Sequence, residues 1–212
     1  MISENTLVEK VRVLLNEADG DSGVSLISDD TLLLDKHIKA LLPEAVLFVQ
    51  MNKNSGTVNV KSTNSADLSK NLMEGAEVQL PSDYIRLVSL KLTSWLVPCR
   101  FACASGSRME SLQKNKYMRA GASSPVCFEA CNDYMENVLI AYPAPKSGSD
   151  VYVEHLVYEA RYNPAEGITG GDESLVTAVT YQCAALLCNV FGKFDAANVF
   201  MGIAATLCNN GK

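Results

Sequence analysis

The sequence predicts an α+β protein, and three observations predict it. Apolar residues near the N-terminus recur at helical spacing. The middle of the chain carries β-branched and aromatic runs separated by turn residues. The end holds two long uncharged segments with a short polar break between them. With 212 residues and 48% hydrophobic content, the chain suits one domain with a sizeable elaboration. Such a chain buries a real core without metal or disulfide staples.

The elements follow in order. Leu7, Val8, Val11, Leu14 and Leu15 form the apolar stripe of a first helix, with Ser3 as its N-cap and Gly20 as its stop. A second helix begins near Asp29, Asp30 and Thr31, whose short polar side chains cap free N–H groups. It runs through Leu33, Leu34, Ile38, Leu41 and Leu42. Pro43 interrupts or kinks it, and residues 44–51 add a further turn or two. The stretch 52–76 is rich in Asn, Ser, Thr and Gly, which bond their own backbone. It reads as a long loop with a short hairpin at 57–61.

The middle of the chain reads as strands at 84–93, 96–102, 126–131, 135–142 and 151–158. Asn132 and Asp133 form a hairpin turn between two of them, and the Pro143 to Gly148 segment separates the next two. An antiparallel meander fits this order. Residues 167–171 (GITGG) form a flexible joint. Asp172 and Glu173 then suit the positive end of a helix dipole. Residues 174–192 and 196–211 carry no charge and read as two helices joined at Gly192 to Phe194. Three regions result: 1–76, 77–163 and 164–212.

The first of these segments, 174–192, reaches membrane-span length, yet Thr177, Thr180, Gln182 and Asn189 are scattered around it and no basic flank anchors an end. A helix that is apolar nearly all round is buried nearly all round. One small domain has little room for two such helices, so a subunit interface stands beside an ordinary core hairpin as its explanation. The candidate interface residues are Leu175, Val179, Leu186, Leu187, Val190, Phe191, Phe194, Val199, Phe200, Ile203 and Leu207.

Charge excludes some functions. The formal net charge is −6, which is unlike a protein that grips nucleic acid over its whole surface, and unlike a polybasic membrane binder. The N-terminal residues have acids where a signal peptide has bases. With that, seven cysteines, an odd number, read as reduced thiols in a cytosolic setting. Mean hydropathy is +0.06, a little apolar for a lone soluble domain.

The search for chemistry yields little. Cys99, Cys103, Cys127 and Cys131 form two pairs that test the idea of tetrahedral zinc, but residues four apart on a strand simply share a face. The run from Asp19 to Gly23 resembles the start of a calcium loop, with Val24 where the loop needs Gly and Asp30 where it needs Glu. His37 and His155 lie in no metal spacing. His155 as a base needs a nucleophile that only the fold can supply. Glu154 and Glu159 are one of many possible carboxylate pairs. No phosphate loop, dinucleotide fingerprint or nucleophile elbow is present. No catalytic residue, metal or cofactor is assigned. One basic cluster stands out: Arg108, Lys114, Lys116 and Arg119, with Tyr117 among them and Glu110 alone in opposition. It reads either as a solvated loop or short helix, or as a contact to phosphate or to an acidic protein patch.

The run LPSDYIRLVSLKL (80–92), Trp95 and Pro98, NKYMRAGASSPVCFEA (115–130), and LIAYPAPKSGSDVYVEHLVYEA (139–160), followed by an acidic start to two helices, resembles the head–tail adaptor proteins of tailed bacteriophages. The likeness is to the longer adaptors of short-tailed phages, the tail accessory factors, and to those of crAss-like phages. The resemblance implies a structural, non-enzymatic virion protein of the neck region. Helices from both ends of the chain form a bundle under the portal, and a central antiparallel β-meander or sandwich projects toward the tail. It also implies a homo-oligomeric ring of about twelve copies. Its partners are the portal protein and tail or further ring proteins. Double-stranded DNA passes through the lumen without sequence-specific binding, along a repulsive acidic wall. No membrane is involved. Some members of the group have been linked to peptidoglycan cleavage, so a tail-associated cell-wall hydrolase is an alternative, although no residue here maps to such a site. A small zinc-binding or interaction module is another.

Overall fold

A computed structural model of the chain describes all residues except 20–30, 65–67, 71–74, 116, 133, 145–150 and 210–212. In chain order the elements are α1 (Glu4–Asp19), α2 (Thr31–Asn52), β1 (Val60–Thr63), β2 (Leu68–Lys70), β3 (Ala76–Gln79), β4 (Tyr84–Leu92), β5 (Ala102–Ala104), α3 (Arg108–Gln113), β6 (Val126–Cys131), β7 (Asn137–Tyr142), β8 (Val153–Ala160), α4 (Glu173–Val190) and α5 (Phe194–Asn209). The fold is α+β. It divides into two compact units, Met1–Val60 with Arg161–Lys212, and Lys61–Ala160.

The first unit is a helical bundle. Ser3 caps α1, its Oγ accepting from the Thr6 N–H at 3.2 Å. Leu7, Val8, Val11 and Leu15 of α1 turn inward and Leu14 is half-buried. From α2 come Leu34, Ile38, Leu42, Ala45, Val46 and Val49. Pro43 does not end this helix: α2 continues through it to Asn52, with Pro43 on the exposed side. There the missing N–H leaves no buried gap. The suggested capping residues Asp29 and Asp30, the stop at Gly20 and the calcium-like run lie on or run into residues outside those described.

α4 packs against α1, α2 and α5. Eleven of its residues are buried, among them Ala178, Cys183, Ala184, Ala185 and Cys188. These small side chains let three helices close on one. Gly192 (φ 74) ends α4, and the Lys193 N–H returns to the Cys188 carbonyl at 2.9 Å. The turn into α5 thus falls where the sequence predicts it.

The expected flexible joint at 167–171 is instead tightly held. Ile2 and Ile168 exchange two backbone bonds of 2.9 Å. Gly167 (φ 66) lets the Ile2 carbonyl approach a point that a Cβ would occupy at 2.3 Å. Gly171 and Val58 form a further bridge, and the Asp172 carboxylate accepts from the Thr57 N–H at 2.8 Å. Backbone segments that meet away from water need partners for their N–H and C=O groups, and a glycine-rich run lets them come close.

The second unit is a pair of sheets. Three strands run β1-β8-β4 and five run β2-β3-β7-β6-β5. Between them lie Leu87, Leu90 and Leu92 of β4, Leu156 and Tyr158 of β8, Leu139 and Ala141 of β7, Cys127 of β6, and Trp95. The Trp95 indole donates to the Pro143 carbonyl at 3.1 Å, which satisfies its buried N–H. The Tyr84 hydroxyl donates to Glu129 at 2.7 Å, and the Tyr158 hydroxyl to Asp83 at 3.0 Å.

Three expectations need correction here. The arrangement is not wholly antiparallel, since β5 runs parallel to β6. The expected strand 96–102 is mostly irregular: Cys99 bridges Leu90, and only Ala102–Ala104 is strand. The polar stretch 52–76 is not one loop, because β1 joins β8 and β2 pairs with β3. Parts of it form edge strands, Val60–Thr63 in the three-stranded sheet and Leu68–Lys70 in the five-stranded one. For the same reason the first unit ends at Val60 and not at 76.

Candidate interaction surfaces

The C-terminal hairpin supplies the first surface. Eleven of its residues are predicted interface positions, and the fold sorts them by helix face. Leu175, Val179, Leu187 and Phe200 are buried in the chain's own core, which corrects their assignment to an interface. The reason is geometric: three helices surround α4, so one domain does cover it. Leu186, Ile203 and Leu207 are half-buried. Val190, Phe191, Phe194 and Val199 stand exposed, Phe194 at 65% and Val199 at 61%. They mark the α4–α5 turn and the outer side of α5, where Gly202 and Ala205 are exposed too. Phe191 also meets His37 edge-on, at 6.0 Å between ring centroids.

A groove of about 520 Å³ opens along α1 and α4 in the same bundle. Val13, Leu14 and Tyr181 give it an apolar floor, and Glu9 and Lys10 stand at its side. No sequence signal marks it, because its two walls come from opposite ends of the chain.

The second surface lies at the β5 edge of the five-stranded sheet. Arg108 opens α3, Lys114 follows it, and Arg119 comes five residues later; all three are exposed. Lys116 lies outside the described residues. Tyr117 is 91% exposed. The segment is held from beneath by Gln113, which is buried. Its amide donates to the Met109 carbonyl at 2.9 Å and its oxygen accepts from the Ala120 N–H at 2.8 Å. Ala120 packs on Val126, Phe128 and Tyr142, the apolar residues on the sheet's outer face. The lone acid, Glu110, turns back to accept from the Gly106 N–H and the Ser105 hydroxyl. The sequence shows the basic cluster but not its neighbours. Residues 94–101 run beside it, joined by the Leu96 N–H to the Ala122 carbonyl at 2.9 Å, and they add exposed Leu96, Val97, Arg100 and Phe101.

The catalytic and metal ideas also acquire geometry. Cys99 and Cys127 lie together in the core between the sheets, whereas Cys131 is exposed at the end of β6. The hydrogen bond with Cys127 holds the Cys99 thiol down at about 7, and burial pushes the Cys127 thiol up. Among the described residues no group of three or more His, Cys, Asp and Glu could hold a metal ion. His155 gains a neighbour: its Nε2 is 3.1 Å from the Ser89 hydroxyl, across β4 and β8. Glu154 pairs with Lys91 at 2.8 Å, while Glu159 is fully buried, so these two carboxylates do not face one substrate. Among the described residues no helix is long and apolar enough to cross a membrane.

The chain matches no protein-family model and no curated protein.

Proposed function

We propose that the protein is a structural ring component, a head–tail adaptor of a tailed bacteriophage virion. In this reading about twelve copies form a closed ring between portal and tail. Double-stranded DNA passes through the lumen. The observation that carries the reading is the divided character of the hairpin. Its inner residues fill the bundle, yet Val190, Phe191, Phe194 and Val199 remain exposed along the same hairpin, Phe191 meeting the ring of His37 edge-on. Exposed apolar side chains grouped on one element mark a surface that meets another protein. The groove along α1 and α4 is a second, different surface on the same unit. A cyclic assembly of identical chains uses two unlike surfaces in this way, one on each side of every copy. The net charge of −6 agrees with a channel wall that does not trap passing phosphates. The sequence resemblance supplies the identity of the ring.

Native mass spectrometry and negative-stain imaging test this. A closed ring is expected, alone or seated on the portal of the same virion. The double variant Phe194→Asp with Val199→Asp should keep the helical circular-dichroism signal and lose the ring. A protein that stays monomeric at tens of micromolar, with and without the portal, would overturn the reading.

A further inference from the structure

We propose that the surface formed by residues 94–101 and by the described residues of 108–122 (108–115 and 117–122), at the β5 edge of the five-stranded sheet, docks a protein partner that presents an apolar recess rimmed by carboxylates. This does not rest on the ring reading. The two segments are far apart in sequence at their outer ends, but one backbone bond joins them, from the Leu96 N–H to the Ala122 carbonyl. Phe101 leads directly into β5, and α3 follows shortly after it.

Large apolar side chains stand out from this surface: Leu96 is 75% exposed, Phe101 62% and Met118 57%, beside Tyr117. Among them are four exposed cations, Arg100, Arg108, Lys114 and Arg119. The one acid of these two segments, Glu110, is half-buried, accepts from the Ser105 hydroxyl and the Gly106 N–H, and stands against four cations. The outward charge is therefore positive, and the complementary partner is acidic.

The apolar residues decide between partner classes. A phosphate backbone is bound by donors and cations, and it offers nothing to the aliphatic ends of Leu96 and Met118. Aromatic residues, Met and Arg together are the composition of protein–protein contact centres, where Tyr and Arg act as anchors in pockets of the partner. The surface is also prepared in advance. Gln113 bridges Met109 and Ala120, and the Tyr117 N–H is held by the Asn115 side chain at 3.0 Å. A preformed loop loses less freedom when it binds.

The test uses the full chain and three fluorescent probes in an anisotropy titration. They are an 18-residue amphipathic Glu/Leu peptide, the same pattern with Lys for Glu, and a 20-base-pair duplex DNA. The Glu/Leu peptide should bind, with affinity falling as salt rises. Two variants, Leu96→Ser with Tyr117→Ser, and Arg108→Glu with Lys114→Glu, should each weaken it at least tenfold while the melting curve stays unchanged. Equal binding of both peptides, or no loss in either variant, would overturn the proposal. So would the absence of peptide binding. Tight duplex binding that is lost in the charge variant would assign the surface to nucleic acid. Concentration-dependent self-association lost in both variants would assign it to a second copy of the chain. Either result replaces the acidic partner.

Discussion

Asn59 shows how much one residue can hold. It is buried and takes a left-handed conformation, φ 57, which side chains other than Gly and Asn rarely adopt. Its amide donates to the Arg161 carbonyl at 3.0 Å, and its oxygen accepts from the Thr169 N–H and hydroxyl, each at 3.2 Å. The segment before the inserted sheets is thereby tied to the segment after them. Asn59→Ala should cost about 2–4 kcal/mol, since it strains the backbone and leaves buried groups unpaired. Asn59→Gly should cost less, because it relieves the backbone and loses only the side-chain bonds. Urea denaturation of both variants checks this ordering. Two other groups of the bundle, the buried Cys183 and the half-buried Tyr162, weaken it at alkaline pH. Burial raises the Cys183 thiol from 9.0 to about 12. Burial, then the nearby Glu4 and Cys183, raise the Tyr162 hydroxyl from 10.0 to about 12. Both groups are held neutral when folded, so their contribution is complete below the unfolded values and is lost as pH climbs toward 12. The urea midpoint should fall from pH 9 upward, and Cys183→Ala should flatten that fall.

At the scale of elements, the α4–α5 hairpin has an inside and an outside that respond differently to change. Ala184 is fully buried on α4, where neighbouring helices close in. Ala184→Leu adds volume that the packing cannot take, and should cost about 1–3 kcal/mol. Val199 lies on the outer side of α5 and is exposed. Val199→Asp should change the stability of the isolated chain by less than about 0.5 kcal/mol. Thermal melts of the two variants separate the faces: one should drop by several degrees and the other should not. If Val199→Asp is as damaging as Ala184→Leu, α5 owes its stability to that face within the chain, and the face is not left over for a neighbour.

On the scale of the whole molecule, the chain is a helical bundle interrupted by a β unit. The bundle's core draws only on residues before and after the insert, from Leu7 to Val58 and from Ile168 to Cys208. The sheets enclose a core of their own, from Ala76 to Ala160. The ends of the insert are close, since Asn59 bonds directly to Arg161. Removing residues 61–160 and joining Val60 to Arg161 through a short Gly/Ser linker should therefore leave a protein that folds. Far-UV circular dichroism should show helix, and heating should give one cooperative transition. A chain without cooperative melting would mean that the bundle depends on the insert.

The sequence by itself determined the elements whose signal is local. Leu7, Val11 and Leu15 repeat at helical spacing and do form the inner stripe of α1; Gly192 ends α4 where a left-handed residue is needed. Four of the five predicted strand segments contain a strand, displaced by a few residues at most, because alternation and turn residues are read from neighbours in the chain. The basic residues at 108–119 were also legible as a cluster. Tertiary structure decided everything that depends on distant partners. It placed β5 parallel to β6, recruited β1 and β2 from a polar stretch, and fastened the glycine run at 167–171 to Ile2 and Val58. It put Leu175, Val179, Leu187 and Phe200 inside the bundle while leaving Phe194 and Val199 outside. It also brought Leu96 and Phe101 into the basic surface. On an uncharged helix, composition gives no sign of which face points inward, since both faces are apolar. That choice is made by the helices that pack against it, which for α4 are the adjoining α5 together with α1 and α2 from the other end of the chain.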